Sequence, residues 1–317
     1  MDSEAQASAP TRAGASVHPD ASRALGFWAV IASLIISITG WGWAWVGIRA
    51  VVHEFPPGPL ALGRYLVASA VLLPFWWMRG GGWPDRRDWL RVVAMGLLGF
   101  TFYNLAINAG EKTVTAGAGS LIAASIPVML TLGARLFFGE RLLPAGWVGT
   151  AVAFAGVAII TLREEGGLRL STGALLVLAG SVCAAGFGLL SKDLLRRHHP
   201  LNVTTWAVWA GTLSLVPTGL DLGSVVRTSS TEALWTVVLL GAVPGALCYT
   251  LWSYVLAHWS LSRASSWQFL IPLASILLGW IFLGELPAPS ALVGGAVTLS
   301  GVYLVNRRGR VPQPAAA

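Results

Sequence analysis

Residues 126–157 read IPVMLTLGARLFFGERLLPAGWVGTAVAFAGV, and residues 271–302 read IPLASILLGWIFLGELPAPSALVGGAVTLSGV. An offset of 145 lays one on the other. Ile126-Pro127 meets Ile271-Pro272, Gly139-Glu140 meets Gly284-Glu285, and Pro144 meets Pro289. Val148-Gly149 meets Val293-Gly294, and Gly156-Val157 meets Gly301-Val302. Between 116 and 157, 14 of 42 positions are identical to their counterparts, which marks a duplication. The register continues upstream through Val92, Val93 and Gly96 against Val237, Val238 and Gly241. Nearer the start the offset becomes 143, pairing Arg49 with Lys192 and Pro57 with Pro200.

The duplicated unit belongs in a bilayer. Of 317 residues, 55% are apolar and 11% charged, against about 25% charged in soluble domains. Mean hydropathy is +0.67. Such a chain cannot cover a water-soluble surface, which excludes most cytosolic enzymes. The net charge of +7 is better read through the positive-inside bias than as a nucleic-acid footprint. Cys183 and Cys248 both lie in apolar runs, so no disulfide framework or metal knuckle is indicated. A spanning helix needs about 20 mostly apolar residues. Ten stretches qualify: 25–51, 59–77, 89–109, 114–138, 146–162, 173–190, 203–220, 234–256, 264–283 and 289–305. They are too long for strands and lack alternation. The sequence predicts an all-α integral membrane protein.

Residues 1–24, rich in Ala and Ser, are predicted to be a disordered cytoplasmic tail, followed by a five-helix repeat over 25–162. An outer linker at 163–172, a second five-helix repeat over 173–306 and a short cytoplasmic tail at 307–317 complete the chain. With the N-terminus inside, 14 Lys and Arg fall on the inner side, 5 on the outer side and 2 within spans. That asymmetry places both termini in the cytoplasm. Five spans per repeat is an odd number, so the second repeat must insert upside down. Inverted repeats let two similar halves exchange conformations around one central site, as secondary transporters do.

These residues carry a family resemblance. The chain resembles the drug/metabolite transporter superfamily, in its ten-helix members built from two EamA repeats, over about residues 25–305. Trp41-Gly42 with Arg49 and Arg64 matches the opening of the first repeat, and the Pro–Gly-Glu–Pro–Gly–Gly series at 127, 139–140, 144, 149 and 156 matches its close. Length and Trp content are similar to those of the YddG-type aromatic amino-acid exporters. One departure is clear: the second repeat has Ala184-Ala185 and Ala207 where the pattern has Trp and Arg. The resemblance implies a cavity formed mainly by spans 1, 3, 4, 6, 8 and 9. It also implies export of amino acids, aromatic ones included, and related small metabolites by alternating access, in the inner membrane.

Candidate site residues are polar or aromatic side chains deep in the spans. Tyr103, Asn104 and Asn108 in span 3 correspond to Cys248, Tyr249 and Ser253 in span 8. Gln268 lies one helical turn before Pro272 in span 9. A mid-depth amide is costly unless it meets another helix, water or a ligand; interhelical glue and ligand contact both remain open. Trp41, Trp206 and Trp252 join Tyr103 and Tyr249 as aromatic candidates, chosen for depth and repeat position. Pro127 and Pro272 mark a paired kink, hinge or fixed bend. Arg64, about five residues from a span end, reads first as a snorkelling or packing cation and second as a contact for a substrate carboxylate. Glu140 and Glu285 read as interfacial anchors at helix ends. No Asp or Glu falls in the middle of a span, which argues against a carboxylate proton relay.

No catalytic residues, cofactor or metal are expected. His198-His199 reads as a solvated turn, and Gly80-Gly81-Gly82 lacks the context of a phosphate loop. The expected partners are a small-molecule substrate and the lipid bilayer, not nucleic acid; a monomer is compatible with the sequence. A phosphorylated-sugar or nucleotide-sugar exchanger ranks second, because those anions want paired cations. An intramembrane enzyme or a scaffold without transport is the alternative of another class.

Overall fold

A computed structural model describes residues 19–110, 112–113, 122–162, 172–283 and 289–309. Residues 1–18, residues 163–171 of the linker expected at 163–172, Glu285 and residues 310–317 lie outside the described residues. The chain folds as α1 (Pro19–Val51), α2 (Pro57–Met78), α3 (Arg86–Gly110), α4 (Ser125–Phe138), α5 (Pro144–Leu162) and α6 (Thr172–Leu194). There follow α7 (Pro200–Leu215), the short α8 (Leu222–Thr228), α9 (Thr231–His258), α10 (Leu261–Phe282) and α11 (Pro289–Arg308). Among the described residues, six helices are long and apolar enough to cross a membrane: α2, α3, α6, α9, α10 and α1 from Gly26 onward. α4 and α7 have 14 and 16 residues, short of the about 20 needed for a straight crossing. The sequence run leading into α4, at 114–121, lies outside the described residues. Large apolar side chains such as Trp77, Leu136 and Phe137 face outward, as in a protein solvated by lipid rather than water.

Local signals set the helix ends. Pro57 and Pro200 open α2 and α7 at positions where no backbone donor is needed, and the His199 side chain accepts from Leu201 N–H at 3.2 Å. α4 stops at Gly139, whose φ of 65° is the left-handed conformation that glycine adopts at no steric cost. That turn releases Glu140 toward α10. Its carboxylate accepts the N–H groups of Leu261 and Ser262 at 2.8 and 2.9 Å. Glu140 therefore caps the first turn of a helix far away in sequence, where unpaired donors and the helix dipole favour an anion.

Two irregularities recur in both halves. α3 contains a π-helical stretch at Leu97–Phe102, and α9 contains one at Gly241–Cys248 that includes Pro244. Under the 145 offset the two coincide. Pro127 stands in the first turn of α4, and Pro272 follows a 3-10 turn at Trp267–Leu270 within α10. Each proline thus sits where a helix restarts and its missing N–H is tolerated.

The paired glycines meet one another. α5 and α11 run antiparallel in close contact. A Cβ on Gly149 would stand 2.8 Å from Val305 N, and one on Gly156 would strike Thr298 and the Gly294 carbonyl. Small residues let these backbones approach within van der Waals reach.

Candidate functional site

A cavity opens where α1, α2, α3, α4, α6, α9 and α10 converge. α1 contributes Trp41, Ala44, Trp45 and Ile48, and α3 contributes Tyr103, Asn104 and Ile107. Pro127 and Leu130 come from α4, Phe187 and Gly188 from α6. Pro244, Tyr249 and Trp252 line it from α9, and Gln268, Ile271 and Pro272 from α10. Its empty space, open mouth included, is about 1090 Å³. α2, which the expected set of lining helices leaves out, adds Arg64 and Tyr65.

Seven aromatic residues line the wall. Trp41 packs edge-on against Tyr249 and Trp252 at centroid distances of 5.3 and 5.5 Å. Phe100 sits behind, 4.8 Å from Tyr249 and 5.1 Å from Tyr65. The π-helical stretches explain how these rings come together. An extra residue per turn rotates everything after it, and Tyr103-Asn104 and Tyr249 directly follow the two stretches.

Arg64 turns into this wall. It is 4% exposed, so it does not reach for the surface as a snorkelling cation would. Nη1 donates to Asn104 Oδ1 at 3.4 Å. Asn104 is itself held from its other side: Nδ2 donates to Tyr65 Oη at 3.0 Å and to the Phe100 carbonyl at 2.9 Å. Its oxygen is thereby aimed at the guanidinium. The Nε of Arg64, the Nε1 of Trp41 and the Oε1 of Gln268 are buried and find no protein partner. Buried polar atoms are ordinarily satisfied; these three belong to residues that line the cavity.

Three candidates lie away from the cavity wall. Asn108 donates to the Pro57 carbonyl at 3.2 Å, and Ser253 shares a hydrogen bond with Thr204 at 2.8 Å. Trp206 donates its indole N–H to the Gly82 carbonyl at 2.9 Å, and Trp76 donates to the same oxygen at 3.1 Å. Gly80-Gly81-Gly82 is thus a turn clasped by tryptophans.

A charged cluster joins the start of α3 to the turn between α6 and α7. Asp88 is fully buried. Arg197 Nη1 donates to both its oxygens at 2.8 Å, Arg91 donates at 3.1 Å, and His198 Nε2 lies 2.7 Å from Oδ2. Asp88 holds Arg197 above the usual guanidinium range through that hydrogen bond and its charge. His198 is therefore a paired, half-buried group, not the solvated turn read from the sequence. The reason is Asp88, 110 residues away. Asp85, Asp88 and His198 bring ligand atoms within 4.8 Å of one another, but Asp88 is already neutralised by two arginines.

Comparison with known proteins adds to this geometry. The EamA-like transporter family model matches residues 27–162 and again 171–307. A Streptantibioticus cattleyicolor protein named "Probable terminal-alkyne amino-acid exporter" is 34% identical over 276 residues, covering 87% of this chain and 93% of that one. Bacillus subtilis "Uncharacterized transporter YdfC" is 30% identical, over 88% of this chain and 92% of its own. A solved crystal structure, 18% identical, superposes with a TM-score of 0.70 over 87% of this chain and 98% of that one, which shows a shared fold.

Proposed function

Because the chain belongs to the EamA-like transporter family, of the drug/metabolite transporter superfamily, we propose that it exports amino acids with apolar side chains, aromatic ones included. As a multi-pass membrane transporter it handles a small molecule. The reading adds ten spans in two inverted five-helix halves, both termini in the cytoplasm of an inner membrane, and alternating access through the cavity at Trp41, Tyr103, Asn104, Tyr249, Trp252 and Gln268. One observation carries it. Matching helix irregularities from both halves frame a single aromatic cavity that holds orphan polar donors and an acceptor. Aromatic faces attract an ammonium group by about 0.5–2 kcal/mol each, and the orphan atoms suit the polar ends of a zwitterion. The relative whose name states an amino-acid cargo supports the same class. A phosphorylated sugar would meet one cation, Arg64, among the lining residues.

The test is efflux of a labelled amino-acid panel from loaded proteoliposomes. Faster loss than from protein-free vesicles, saturating with internal concentration, is expected for apolar amino acids. A flat panel would sink the reading.

A further inference from the structure

We propose that Arg64, with the indole N–H of Trp41, forms a carboxylate subsite that requires the transported molecule to carry a free carboxylate. The inference rests on the proposed amino-acid reading and goes further, by fixing which end of the substrate meets which wall.

Arg64 presents five N–H donors on a fixed planar fork. The protein engages it through one long, neutral hydrogen bond, to Asn104 at 3.4 Å, and a loose contact with the Tyr65 ring, 5.7 Å from its centroid, and leaves Nε without a partner. Among the described residues no carboxylate pairs with it and none lines the cavity. Taking a cation out of water is expensive unless an anion or several hydrogen bonds compensate. A structural arginine is usually wrapped in such partners; Arg197, exposed as it is, is gripped by Asp88 and Asp193. Arg64 instead is one of the residues that line a cavity.

Trp41, on a different helix, leaves its indole donor unpaired in the same cavity. Indole N–H is a donor only, so each of these two orphans calls for an acceptor. A carboxylate has two oxygens and a negative charge, and so answers both. Asn104 is then a positioning residue: it is pinned by Tyr65 and Phe100 and steers the guanidinium. An amide of the same substrate offers one oxygen and no charge, and the decarboxylated amine offers neither.

The experiment titrates purified full-length protein in detergent by thermal shift, which reports ligand bound to the folded state. The probes are L-phenylalanine, L-phenylalaninamide, 2-phenylethylamine and 3-phenylpropanoate, with the matching series built on norleucine. The parent should bind both acids at least tenfold more tightly than the amide and the amine. Arg64→Gln should weaken both acids by roughly ten- to a hundredfold, the loss of a charge-assisted bond, and leave amide and amine as they were. An unchanged acid-to-amide ratio in folded Arg64→Gln protein overturns the proposal. If Arg64→Gln does not fold, Arg64→Lys and Trp41→Phe take its place; a parental ratio in both is equally fatal.

The parent alone separates the two ideas. Binding of 3-phenylpropanoate without L-phenylalanine leaves the subsite standing and removes the amino-acid reading. Equal binding of L-phenylalanine and its amide keeps that reading and removes the subsite. No binding in either series removes both.

Discussion

Asn104 does more with one side chain than any other residue near the cavity. Its amide nitrogen is spent on Tyr65 and Phe100, and its oxygen faces Arg64. Replacing that neutral amide by a charged carboxylate makes a sharp prediction. In Asn104→Asp, the protein supplies its own carboxylate to Arg64, and a charge pair in this buried setting is stronger than the amide contact it replaces. The loss of the amide donor beside the Phe100 carbonyl works against that gain, so the protein should stay folded with a modestly lowered melting temperature, while transport of amino acids falls at least tenfold. A stable Asn104→Asp protein with parental efflux would show that Arg64 and Asn104 stand apart from the transport path. Depth along a span was legible in the sequence, and it picks out Trp41, Tyr103, Asn104, Tyr249, Trp252 and Gln268. Direction around a helix was not. Asn108, Trp206 and Ser253 lie at suitable depth but turn toward Pro57, Gly82 and Thr204. Arg64 lies near enough to a span end to reach the surface, so only its neighbours could decide that it turns inward.

At the scale of the helix, apolar runs and proline or glycine punctuation announce most elements. The two π-helical stretches were hidden. Leu97–Phe102 is an ordinary apolar run, and only Pro244, in the second stretch, hints at a ladder that cannot close normally. The short α8 was also missed, because seven residues are too few to show a period. The paired glycines of α5 and α11 were legible as a close-packing signal, though not that each pair serves the other. A Cβ at Gly301 would run into the backbone of Ala153. Backbone cannot swing aside as a flexible side chain would, so the helices must separate. Gly301→Val should cost about 1–3 kcal/mol or more, seen as a lowered melting temperature and a poorer monodisperse yield in detergent. Gly26→Ala, where a Cβ meets nothing within 4 Å, should change neither. A Gly301→Val protein as stable as the parent would mean that α5 and α11 are not pressed together in the membrane.

At the scale of the whole molecule, the duplication is the feature most plainly written in the sequence, and its physical consequence is a cavity shared by both halves. Charge is arranged quite differently from the cavity. Asp85, Asp88 and Asp193 sit in the arginine cluster that joins the start of α3 to the α6–α7 turn. Glu140 caps α10, and Glu54 binds Ser230 N–H and Oγ just before α9. These carboxylates bind cations or helix starts between elements, and among the described residues none reaches the cavity. A proton-driven pump must load and unload a proton at a group whose affinity changes with substrate or conformation, and in membranes that group is typically a buried carboxylate or histidine. A zwitterionic amino acid carries no net charge, so its passage by a fixed Arg64 needs no proton to balance charge. Export should therefore run down the substrate gradient. In proteoliposomes with equal L-phenylalanine on both sides, an imposed pH gradient should drive no net accumulation, whereas a substrate gradient at uniform pH should drive efflux at full rate. Uphill accumulation under the pH gradient alone would assign proton traffic to one of the carboxylates that latch elements together, and Glu140→Gln would be the first variant expected to abolish it.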